Sequence, residues 1–371
     1  MSPTRTIDRR HFVMASGALL ALAALPRRGS GQPAPMRVPT VDELSVRIVT
    51  DSSYDTPRAM SHKLVKVRRT PTSKAPSTRT LHSEWGLATV LRSRIGADTR
   101  QLQLDFGYTP DALVNNLEFI GVDVSKTQGL VMSHGHFDHF GGLVGFLQKY
   151  RSQMPPSLTL YAGGEENFCR RKVGTGVPGH FADWGVIDRR ELEKLNVKIV
   201  LCDRPTVVEG HAFTTGHVVR KSFETIFPNT QVSYRKDANG AGCDLPAEDA
   251  KYNGEFAKQD NHLHEHATCY HVKDRGLVVI SSCGHTGIIN SVRQAMAVSG
   301  VDKVHAVMGG FHLFPADEPY LKRVIAELQG MSPDAIIPLH CSGPEMVQLT
   351  RGVAPDKLLT STTGTEFVFG A

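Results

Sequence analysis

Four potential metal ligands lie within six consecutive residues of this 371-residue chain. The segment 133–142 reads Ser-His-Gly-His-Phe-Asp-His-Phe-Gly-Gly, which places His134, His136, Asp138 and His139 in the pattern His-x-His-x-Asp-His. Three imidazoles and one carboxylate suit zinc or a similar transition metal better than calcium or magnesium. One such loop can supply most of the ligands of two neighbouring metal sites. Two metals predict hydrolysis or a related reaction at an activated water.

The flanking residues predict that this segment connects a strand to a helix. Residues 129–132 form a short apolar run, and residues 140–147 are typical of a helix start. Proteins of the α/β class keep their sites at such strand ends. Gly141 and Gly142 would let the helix approach the metals and the sheet closely. A surface histidine cluster that binds metal by accident is the alternative, but the spacing, the carboxylate and the setting all favour a true site.

Three later segments share one order, in which an apolar strand ends at a histidine and a helix follows. The strands are 276–281, 303–308 and 335–339, and the histidines are His285, His312 and His340. Because the ends of such strands converge on one edge of a sheet, the three histidines are candidates for the same site. Strands and helices alternate around 85–150 and again around 265–350, which predicts two sheets flanked by helices.

Other segments are assigned from apolar periodicity and turn residues. Strands are predicted at 44–50, 85–92, 101–106, 157–161, 197–202 and 212–215, and helices at 110–120, 288–298 and 315–328. The polar segments 55–80 and 228–262 are interpreted as a surface loop and an insertion.

A second histidine cluster lies in the segment 260–266, Asp-Asn-His-Leu-His-Glu-His. On a strand, this spacing of two would place His262, His264 and His266 on one face, where one of them could replace His285 as a ligand. The alternative is that they line a solvated strand edge or a loop.

Together these motifs resemble the metallo-β-lactamase superfamily, and within it the branch of dihydropterin-ribofuranosylaminobenzene-phosphate-synthase-like metal-dependent hydrolases. The matching stretches are 105–107, 115–116, 133–143, 214–216, 278–290, 309–313, 338–343 and 361–364. The resemblance implies an α/β fold of the αββα sandwich type, with two mixed β-sheets flanked by helices. It also implies that residues 36–371 form one domain.

The resemblance implies two metal sites with six protein ligands. His134, His136 and His285 would hold the first metal. Asp138, His139 and His340 would hold the second. Two zinc ions are the implied cofactor, with iron or manganese as alternatives.

The resemblance also implies roles around the metals. Asp138 would orient the water, and His312 would contact the substrate or protonate the leaving group, so these two are the predicted catalytic residues. Asn116 and Arg220 are candidates for polar contacts to the substrate. Cys283 occupies the position at which the superfamily usually has an Asp that bridges both metals. We interpret it as a substrate-contacting or supporting residue.

These features favour a metal-dependent hydrolase that uses a metal-activated water on an ester, lactone, amide or phosphoester. A metal-dependent synthase or transferase is the second hypothesis. An iron-loaded oxidoreductase on the same scaffold and a metal-binding protein without turnover are the others. The substrate is expected to be a small molecule.

The composition argues against nucleic acid as a partner. The net charge is only +5, and no basic stripe with interleaved aromatic residues is present. The six cysteines include no Cys-x-x-Cys pair, so a disulfide scaffold is not indicated, although an exported protein could form one bridge. The sequence carries no signal for an oligomeric state.

The N-terminal segment predicts export. Arg9 and Arg10 precede an apolar run over residues 12–25, which is too short for a membrane-spanning helix. This arrangement resembles a twin-arginine signal, so residues 1–35 are predicted to be a signal peptide and linker. The twin-arginine (Tat) machinery would be a transient partner, the mature protein would be periplasmic, and no membrane contact is expected after signal removal.

Replacing Arg9 and Arg10 together with Lys should leave the protein in the cytoplasm, because the paired Arg is the distinguishing feature of the predicted signal. Cell fractionation followed by immunoblotting measures this. Unchanged periplasmic protein would remove the twin-arginine assignment.

Overall fold

Two mixed β-sheets packed face to face form the centre of the computed structural model, and helices cover their outer faces. The structure describes residues 35–55, 60–70, 78–227, 229–245 and 258–370. Residues 1–34, which are all but the last residue of the predicted signal peptide and linker at residues 1–35, lie outside the described residues. Within the described ranges, no helix combines the length and apolar character that crossing a membrane requires.

The described ranges contain nineteen strands, numbered in chain order. They are β1 Thr40–Val41, β2 Glu43–Thr50, β3 Val65–Arg69, β4 Ala88–Ile95, β5 Asp98–Leu104, β6 Thr127–Met132, β7 Leu158–Ala162, β8 Arg170–Gly174, β9 Phe181–Asp183, β10 Val197–Leu201, β11 Val207–Val208, β12 Ala212–Thr214, β13 Thr230–Ser233, β14 Lys258–Gln259, β15 Thr268–Val272, β16 Gly276–Ser281, β17 Val304–Gly310, β18 Ala335–Leu339 and β19 Thr365–Gly370. The helices are α1 Pro110–Ile120, α2 Phe137–Phe140, α3 Leu143–Tyr150, α4 Arg189–Lys194, α5 Ile288–Ser299, α6 Glu318–Gly330 and α7 Pro344–Val353.

Each large sheet combines parallel and antiparallel pairs. The eight-stranded sheet has the order β10-β7-β6-β5-β4-β2-β19-β3, and it is parallel from β10 to β5 and antiparallel beyond. The seven-stranded sheet has the order β11-β12-β15-β16-β17-β18, with β1 beside β15, and β16, β17 and β18 are parallel. A four-stranded sheet, β14-β13-β8-β9, completes the described strands.

Apolar side chains from both large sheets meet in a central core. Val46, Leu91 and Leu104 of the eight-stranded sheet belong to one buried cluster with Ile280 and Met308 of the seven-stranded sheet. Sheets packed in this way bury their inner faces against each other, which is the main stabilising contribution of a sandwich.

Helices bury the outer faces of both sheets. Leu117 of α1 and Phe146 of α3 pack in a cluster on the eight-stranded sheet. Val292 of α5 and Val324 of α6 pack in a cluster on the seven-stranded sheet. The layers therefore run helix, sheet, sheet, helix, and the predicted αββα sandwich is confirmed.

Local sequence signals explain where the first helix begins and ends. The Thr109 side chain caps α1 by accepting the backbone N–H of Ala112, and Pro110 occupies the first turn. Gly121, with a φ of 77°, ends the helix in the left-handed conformation. The prediction of a helix over residues 110–120 is confirmed for these reasons.

The metal-binding motif follows β6 directly, as predicted, and leads into α2 and α3. At Gly142 a Cβ atom would lie only 2.2 Å from the carbonyl oxygen of Phe106. The segment that follows β5 therefore packs against the start of α3 at a distance that only glycine permits.

Two predictions about strands of the eight-stranded sheet are wrong. The strand predicted at 85–92 begins only at Ala88. Leu87 donates its backbone N–H to the backbone carbonyl of Asp138 at 3.2 Å instead of pairing with a strand. The surface loop predicted at 55–80 contains β3, which pairs with β19. The alternating basic side chains of β3 are typical of a sheet edge, which explains why its composition resembles a loop.

The four-stranded sheet was not predicted from the sequence. Its strands β8 and β9 lie between the predicted elements at 157–161 and 197–202, and β13 and β14 lie within the predicted insertion at 228–262. These strands are short and mostly polar, and so they lack the apolar alternation that identifies a strand in sequence.

A disulfide between Cys169 and Cys243 anchors this sheet to the core. Cys169 directly precedes β8 and Cys243 follows β13, and both belong to the cluster beneath the eight-stranded sheet. The bond closes a loop with a sequence separation of 74 residues. A crosslink over such a distance stabilises the fold mainly by restricting the unfolded chain.

Replacing Cys169 and Cys243 together with Ser should lower the free energy of unfolding by roughly 2–4 kcal/mol, the usual contribution of such a bridge. Urea denaturation followed by circular dichroism measures the loss. As a control, a reducing agent should destabilise the wild-type protein by a similar amount and leave the double variant unchanged. Equal stability of the two oxidised proteins would contradict a structural role for this bond.

Candidate metal centre

Three imidazoles of the first predicted site lie together at the ends of β6 and β16. Donor atoms of His134, His136 and His285 all lie within 4.8 Å of one another, and all three side chains are buried. Parallel strands bring their carboxyl ends to one edge of a sheet, and the face-to-face packing brings the two edges together.

The second predicted trio lies beside the first. The Asp138 Oδ2 atom is 3.2 Å from His340 Nε2 and 3.6 Å from His139 Nε2. His340 comes from the end of β18, so the second trio also joins the two sheets. Both predicted trios are therefore assembled in the fold.

A buried carboxylate orients two of these imidazoles. Asp105, fully buried after β5, accepts hydrogen bonds from His139 Nδ1 at 2.8 Å and from the Ser133 hydroxyl at 2.6 Å. The oxygen of that hydroxyl lies 2.9 Å from His134 Nδ1 and accepts a hydrogen bond from it. Each ring is thereby fixed with its Nε2 lone pair free, as metal-binding histidines require.

Two other anchors hold the ligands from the seven-stranded sheet. The buried Asp51 carboxylate accepts the His340 backbone N–H at 2.9 Å, and the Ser52 hydroxyl lies 3.2 Å from His340 Nδ1. The buried Glu265 carboxylate accepts the backbone N–H groups of His285 at 3.0 Å and Thr286 at 2.6 Å. Both loops are therefore held by hydrogen bonds to carboxylates from other elements.

The four-stranded sheet forms the wall beside His136. His136 Nε2 lies 3.4 Å from the Thr230 hydroxyl and 3.8 Å from the Asp260 carboxylate. The other ring nitrogen of His136, Nδ1, is therefore the one that could bind a metal. The buried Arg171 of β8 binds Asp260 at 2.5 Å and donates to the Gly135 carbonyl at 3.1 Å. Arg171 thus ties the metal-binding loop to the small sheet.

Burial keeps the imidazoles of the first trio neutral. It lowers the pKa of His136 to about 4, and it lowers the pKa of His134 and His285 well below the usual value, with neighbouring histidines adding to the effect. Neutral imidazole is the form that binds a metal ion.

The second trio carries charge instead. Burial opposes ionisation of Asp138, but the neighbouring His139 and His340 lower the pKa of its carboxyl. Burial likewise opposes the charged form of His340, but Cys341 and Asp138 raise its pKa to about 9. Asp138 is therefore an anion.

The donor set fits metal ions because its buried atoms lack partners. Buried polar atoms normally form hydrogen bonds, and leaving one unpaired costs about 1–3 kcal/mol. Unpaired buried atoms in the two trios are His134 Nε2, Asp138 Oδ1, His139 Nε2, both ring nitrogens of His285, and His340 Nε2. Convergent unpaired lone pairs of this kind are satisfied by cations.

The comparisons with known proteins agree with this geometry. The family model described as the metallo-beta-lactamase superfamily matches residues 96–220, which include the metal-binding loop. A solved structure of Tm1679, a metal-dependent hydrolase of the beta-lactamase superfamily, has a TM-score of 0.60 at 18% identity and covers 87% of this chain and 98% of that chain. Residues 96–220 of the chain are therefore similar to the metallo-β-lactamase superfamily.

Two relatives from Methanocaldococcus jannaschii are similar in sequence. The 7,8-dihydropterin-6-methyl-4-(beta-D-ribofuranosyl)-aminobenzene-5'-phosphate synthase is 24% identical over 70% of this chain and 82% of its own length. The uncharacterized protein MJ0448 is 24% identical over 67% of this chain and 82% of its own length.

The predicted catalytic His312 lies inside the cluster. Its ring centroid is 4.0 Å from that of His285, and its buried Nε2 lacks a partner. Its φ of 49° is unusual for a residue with a side chain, and Cys341 Sγ accepts its backbone N–H at 3.2 Å. The structure thus holds His312 within reach of the same centre.

Cys283 lies beside predicted ligands of both trios. Its sulfur belongs to donor groups with His134 and His139 and with His285 and His312. Burial raises the pKa of its thiol well above the ordinary value. Cys283 is therefore a member of the donor set by position.

The strand predicted for the second histidine cluster is wrong, because residues 260–267 form a turn and loop between β14 and β15. The three side chains are buried and point to different partners. His262 stacks on His285 with centroids 4.0 Å apart, and His264 contacts Arg171. His266 Nε2 donates to the Met132 carbonyl at 2.9 Å, which gives it a structural role.

The two predicted substrate contacts, Asn116 and Arg220, lie in different surroundings. Asn116 is fully buried, and its amide donates to the carbonyls of Val49 and His82 and accepts the His82 backbone N–H. It therefore joins α1 to β2 and to the following loop, and the predicted contact with substrate is wrong. Arg220 is exposed on the loop after β12, and its predicted contact with the substrate stays a prediction.

The supporting carboxylates Asp51, Asp105, Asp260 and Glu265 were not assigned a site role from the sequence. Asp51 and Asp105 each directly follow an apolar strand, the same signal that identified His340. Asp260 and Glu265 flank the histidine cluster, and their partners Arg171 and Thr286 are distant in sequence. Only the fold shows which loops these carboxylates support.

Replacing Asp105 with Asn should weaken metal binding by about 10- to 100-fold, the usual effect of losing a charged partner behind a metal ligand. Asn tolerates the left-handed backbone, where φ is 55°, so the fold should persist. Titration of apoprotein against a chromophoric chelator measures the affinity. Asp98→Asn, on the half-exposed side of β5, is the matched control and should bind normally. Unchanged affinity in Asp105→Asn would refute the orienting role.

Proposed function

We propose that this protein is a metal-dependent hydrolase that holds two zinc ions between its two donor trios. The observation that carries this proposal is the convergence of unpaired, buried lone pairs from four strand ends at one point between the sheets. Zinc matches the imidazole-rich donors, with iron or manganese as alternatives. The superfamily and the similarity of fold to a metal-dependent hydrolase also support it.

Metal ions at such a centre supply an activated water near neutral pH and polarise a carbonyl or phosphoryl oxygen. Asp138 directs Oδ2 at His139 and His340 and leaves Oδ1 free, so Oδ1 is placed to orient a water and accept its proton. His312 has a buried Nε2 without a hydrogen-bond partner, its ring lies 4.0 Å from that of His285, and it would donate a hydrogen bond to the leaving group.

An aromatic pair adjoins the centre and marks where a substrate would enter. Trp85 and Phe314 are each 47% exposed, and their ring centroids lie 5.7 Å apart. Trp85 lies 5.0 Å from the His340 ring, and Phe314 lies 5.4 Å from the His312 ring. Exposed aromatic side chains beside a buried polar centre suit a small organic substrate with an apolar part.

The similarity to the synthase favours a second candidate, in which the same centre joins two substrates. A pterin-precursor pathway would be cytoplasmic, so the predicted export signal weighs against it. Reactions in ¹⁸O-labelled water separate the two functions, because a hydrolase places the label in its product and a synthase releases a leaving group without it. Elemental analysis that finds zinc or manganese without iron in the purified protein excludes an iron-loaded oxidoreductase.

The export proposal gains a second support from the disulfide. Bridges between Cys residues persist in oxidising compartments such as the bacterial periplasm and are rare in the cytosol. The bond between Cys169 and Cys243 is consistent with a protein that works outside the cytoplasm. We propose a periplasmic location on these two grounds.

Single His→Ala variants test the centre. His136→Ala, His285→Ala and His340→Ala should each reduce metal content and turnover together, because each removes a ligand. His312→Ala should keep both metals and lose turnover. Metal content by elemental analysis and turnover on a panel of aryl and alkyl esters, lactones and phosphodiesters are the measurements.

His211→Ala is the matched control, because His211 is also buried but pairs with Ser93 and Asp98 away from the centre. It should keep full metal content and turnover. If His312→Ala empties a position while His285→Ala stays loaded, the roles of these two histidines must be exchanged. Full metal content with no turnover on any substrate class would favour a metal-binding protein over a hydrolase.

A further inference from the structure

Aromatic side chains from two different segments adjoin the predicted catalytic histidine. The ring centroid of Phe314, on the loop after β17, lies 5.4 Å from that of His312. The ring centroid of Phe227, on the loop before β13, lies 6.5 Å from it. Trp85 extends this aromatic surface from Phe314, with ring centroids 5.7 Å apart. The imidazole that would protonate the leaving group is therefore next to aromatic rings contributed by separate parts of the chain.

The backbone fixes Trp85 and Phe314 although nearly half of each side chain is exposed. Leu87, two residues after Trp85, donates its backbone N–H to a carbonyl of the metal-binding loop at 3.2 Å. Phe314 donates its own backbone N–H to the Cys341 carbonyl, also at 3.2 Å. Exposed rings on a fixed backbone form a preformed contact surface, which lowers the entropy cost of binding another molecule.

The segment 222–227, which carries Phe227, is held against two helices. The Glu224 carboxylate accepts two backbone N–H groups at the start of α5, at 3.1 Å each. The Tyr320 hydroxyl of α6 accepts the Thr225 backbone N–H at 3.0 Å, and the Tyr320 ring lies 5.4 Å from the Phe227 ring. Phe227 is thus held in place by the helices that cover the seven-stranded sheet.

We propose that the leaving group of the substrate is an aromatic ring, which binds against Phe227 and Phe314 beside His312. The inference rests on the proposed hydrolase and specifies the half of the substrate that the centre releases. A leaving group that His312 protonates must lie within hydrogen-bond reach of Nε2, and hence near the rings that adjoin this imidazole. Aromatic rings attract one another in edge-to-face or offset arrangements at centroid distances of about 4.5–7 Å.

The corresponding reaction is hydrolysis of an aryl ester or aryl phosphoester. A bond forms between the water oxygen and the acyl or phosphoryl centre, and the bond from this centre to the aryl oxygen breaks. Asp138 accepts a proton from the water, and His312 gives a proton to the aryl oxygen, so the products are an acid and a phenol. The proton on Asp138 returns to His312 through solvent, which restores both groups.

The test compares an aromatic ring with a saturated ring of similar size on the zinc-loaded mature protein. In benzylphosphonate and cyclohexylmethylphosphonate a CH₂ group replaces the ester oxygen, so neither is hydrolysed and calorimetric titration measures binding alone. Benzylphosphonate should bind roughly 2- to 10-fold more tightly, the range that one aromatic contact provides. Phe227→Leu and Phe314→Leu should each reduce this preference, because Leu retains an apolar side chain and removes the ring.

Turnover gives a second measurement. Phenyl acetate should be hydrolysed with a higher kcat/KM than an alkyl acetate whose alcohol has the same pKa as phenol, since the two esters then differ in the ring and not in the acidity of the leaving group. The two Leu variants should reduce this difference as well.

Phe181→Leu is the matched control. Phe181 is 41% exposed, comparable to Phe314, but it belongs to β9 of the four-stranded sheet, where it pairs with Gly174. This variant should keep the wild-type preference for the aromatic phosphonate. Zinc content and circular dichroism of every variant verify that the metal centre and the fold are retained.

Three outcomes would overturn the proposal without affecting the hydrolase. Equal binding of the two phosphonates would show that the protein recognises apolar size and not an aromatic ring. A preference that survives in both Phe227→Leu and Phe314→Leu would show that other side chains bind the ring. Turnover of alkyl esters without turnover of aryl esters would exclude an aromatic leaving group. A wild-type protein that binds no zinc and hydrolyses neither class would instead refute the proposed function itself.

Discussion

The interaction on which the site depends is the set of hydrogen bonds to the buried Asp105 carboxylate. Asp105 binds His139 directly and His134 through Ser133, so one anion fixes the orientation of a ligand in each trio. A buried carboxylate is costly unless it is paired and hydrogen-bonded. Here the donors that satisfy it are the groups that must be oriented, so the stability of this network and the geometry of the centre are inseparable.

The same constraint explains the layered fold around the centre. The proposed ligands come from the ends of β6, β16 and β18, which belong to two different sheets. The sheets can bring these ends together only if their inner faces pack closely, and the shared apolar core of Val46, Leu104, Ile280 and Met308 provides that packing. Substitutions in this core that shift one sheet would therefore change metal geometry before they unfold the protein.

Local order, in which an apolar strand is followed by a histidine or an acidic residue and then a helix, predicted the flanked sheets and the convergence of the late histidines. The division of the ligands into two trios came from the family resemblance. The failures have a different cause. Asn116 is a polar residue in a helix, and its role as an internal link to Val49 and His82 arises only from packing. The four-stranded sheet and its Arg171–Asp260 pair are stabilised by contacts between distant, polar segments, which leave no periodic pattern. Cys283 was recognised in the sequence, but its closeness to both trios arises only because three strand ends meet in the fold.

The proposed export would affect the chemistry of the sulfurs. The sulfurs of Cys283 and Cys341 are 3.2 Å apart, so an oxidising compartment would favour a disulfide between them. Cys169 and Cys243, in contrast, form a disulfide that stabilises the fold. A metal ion bound to Cys283 would occupy the sulfur lone pair that oxidation requires. Metal binding before export would therefore prevent oxidation of this sulfur. The twin-arginine pathway exports folded proteins, and it therefore permits this order of events: the metal first, then the oxidising compartment, then the Cys169–Cys243 bridge. An unfolded chain exported without metal would meet the oxidant with all six cysteines exposed.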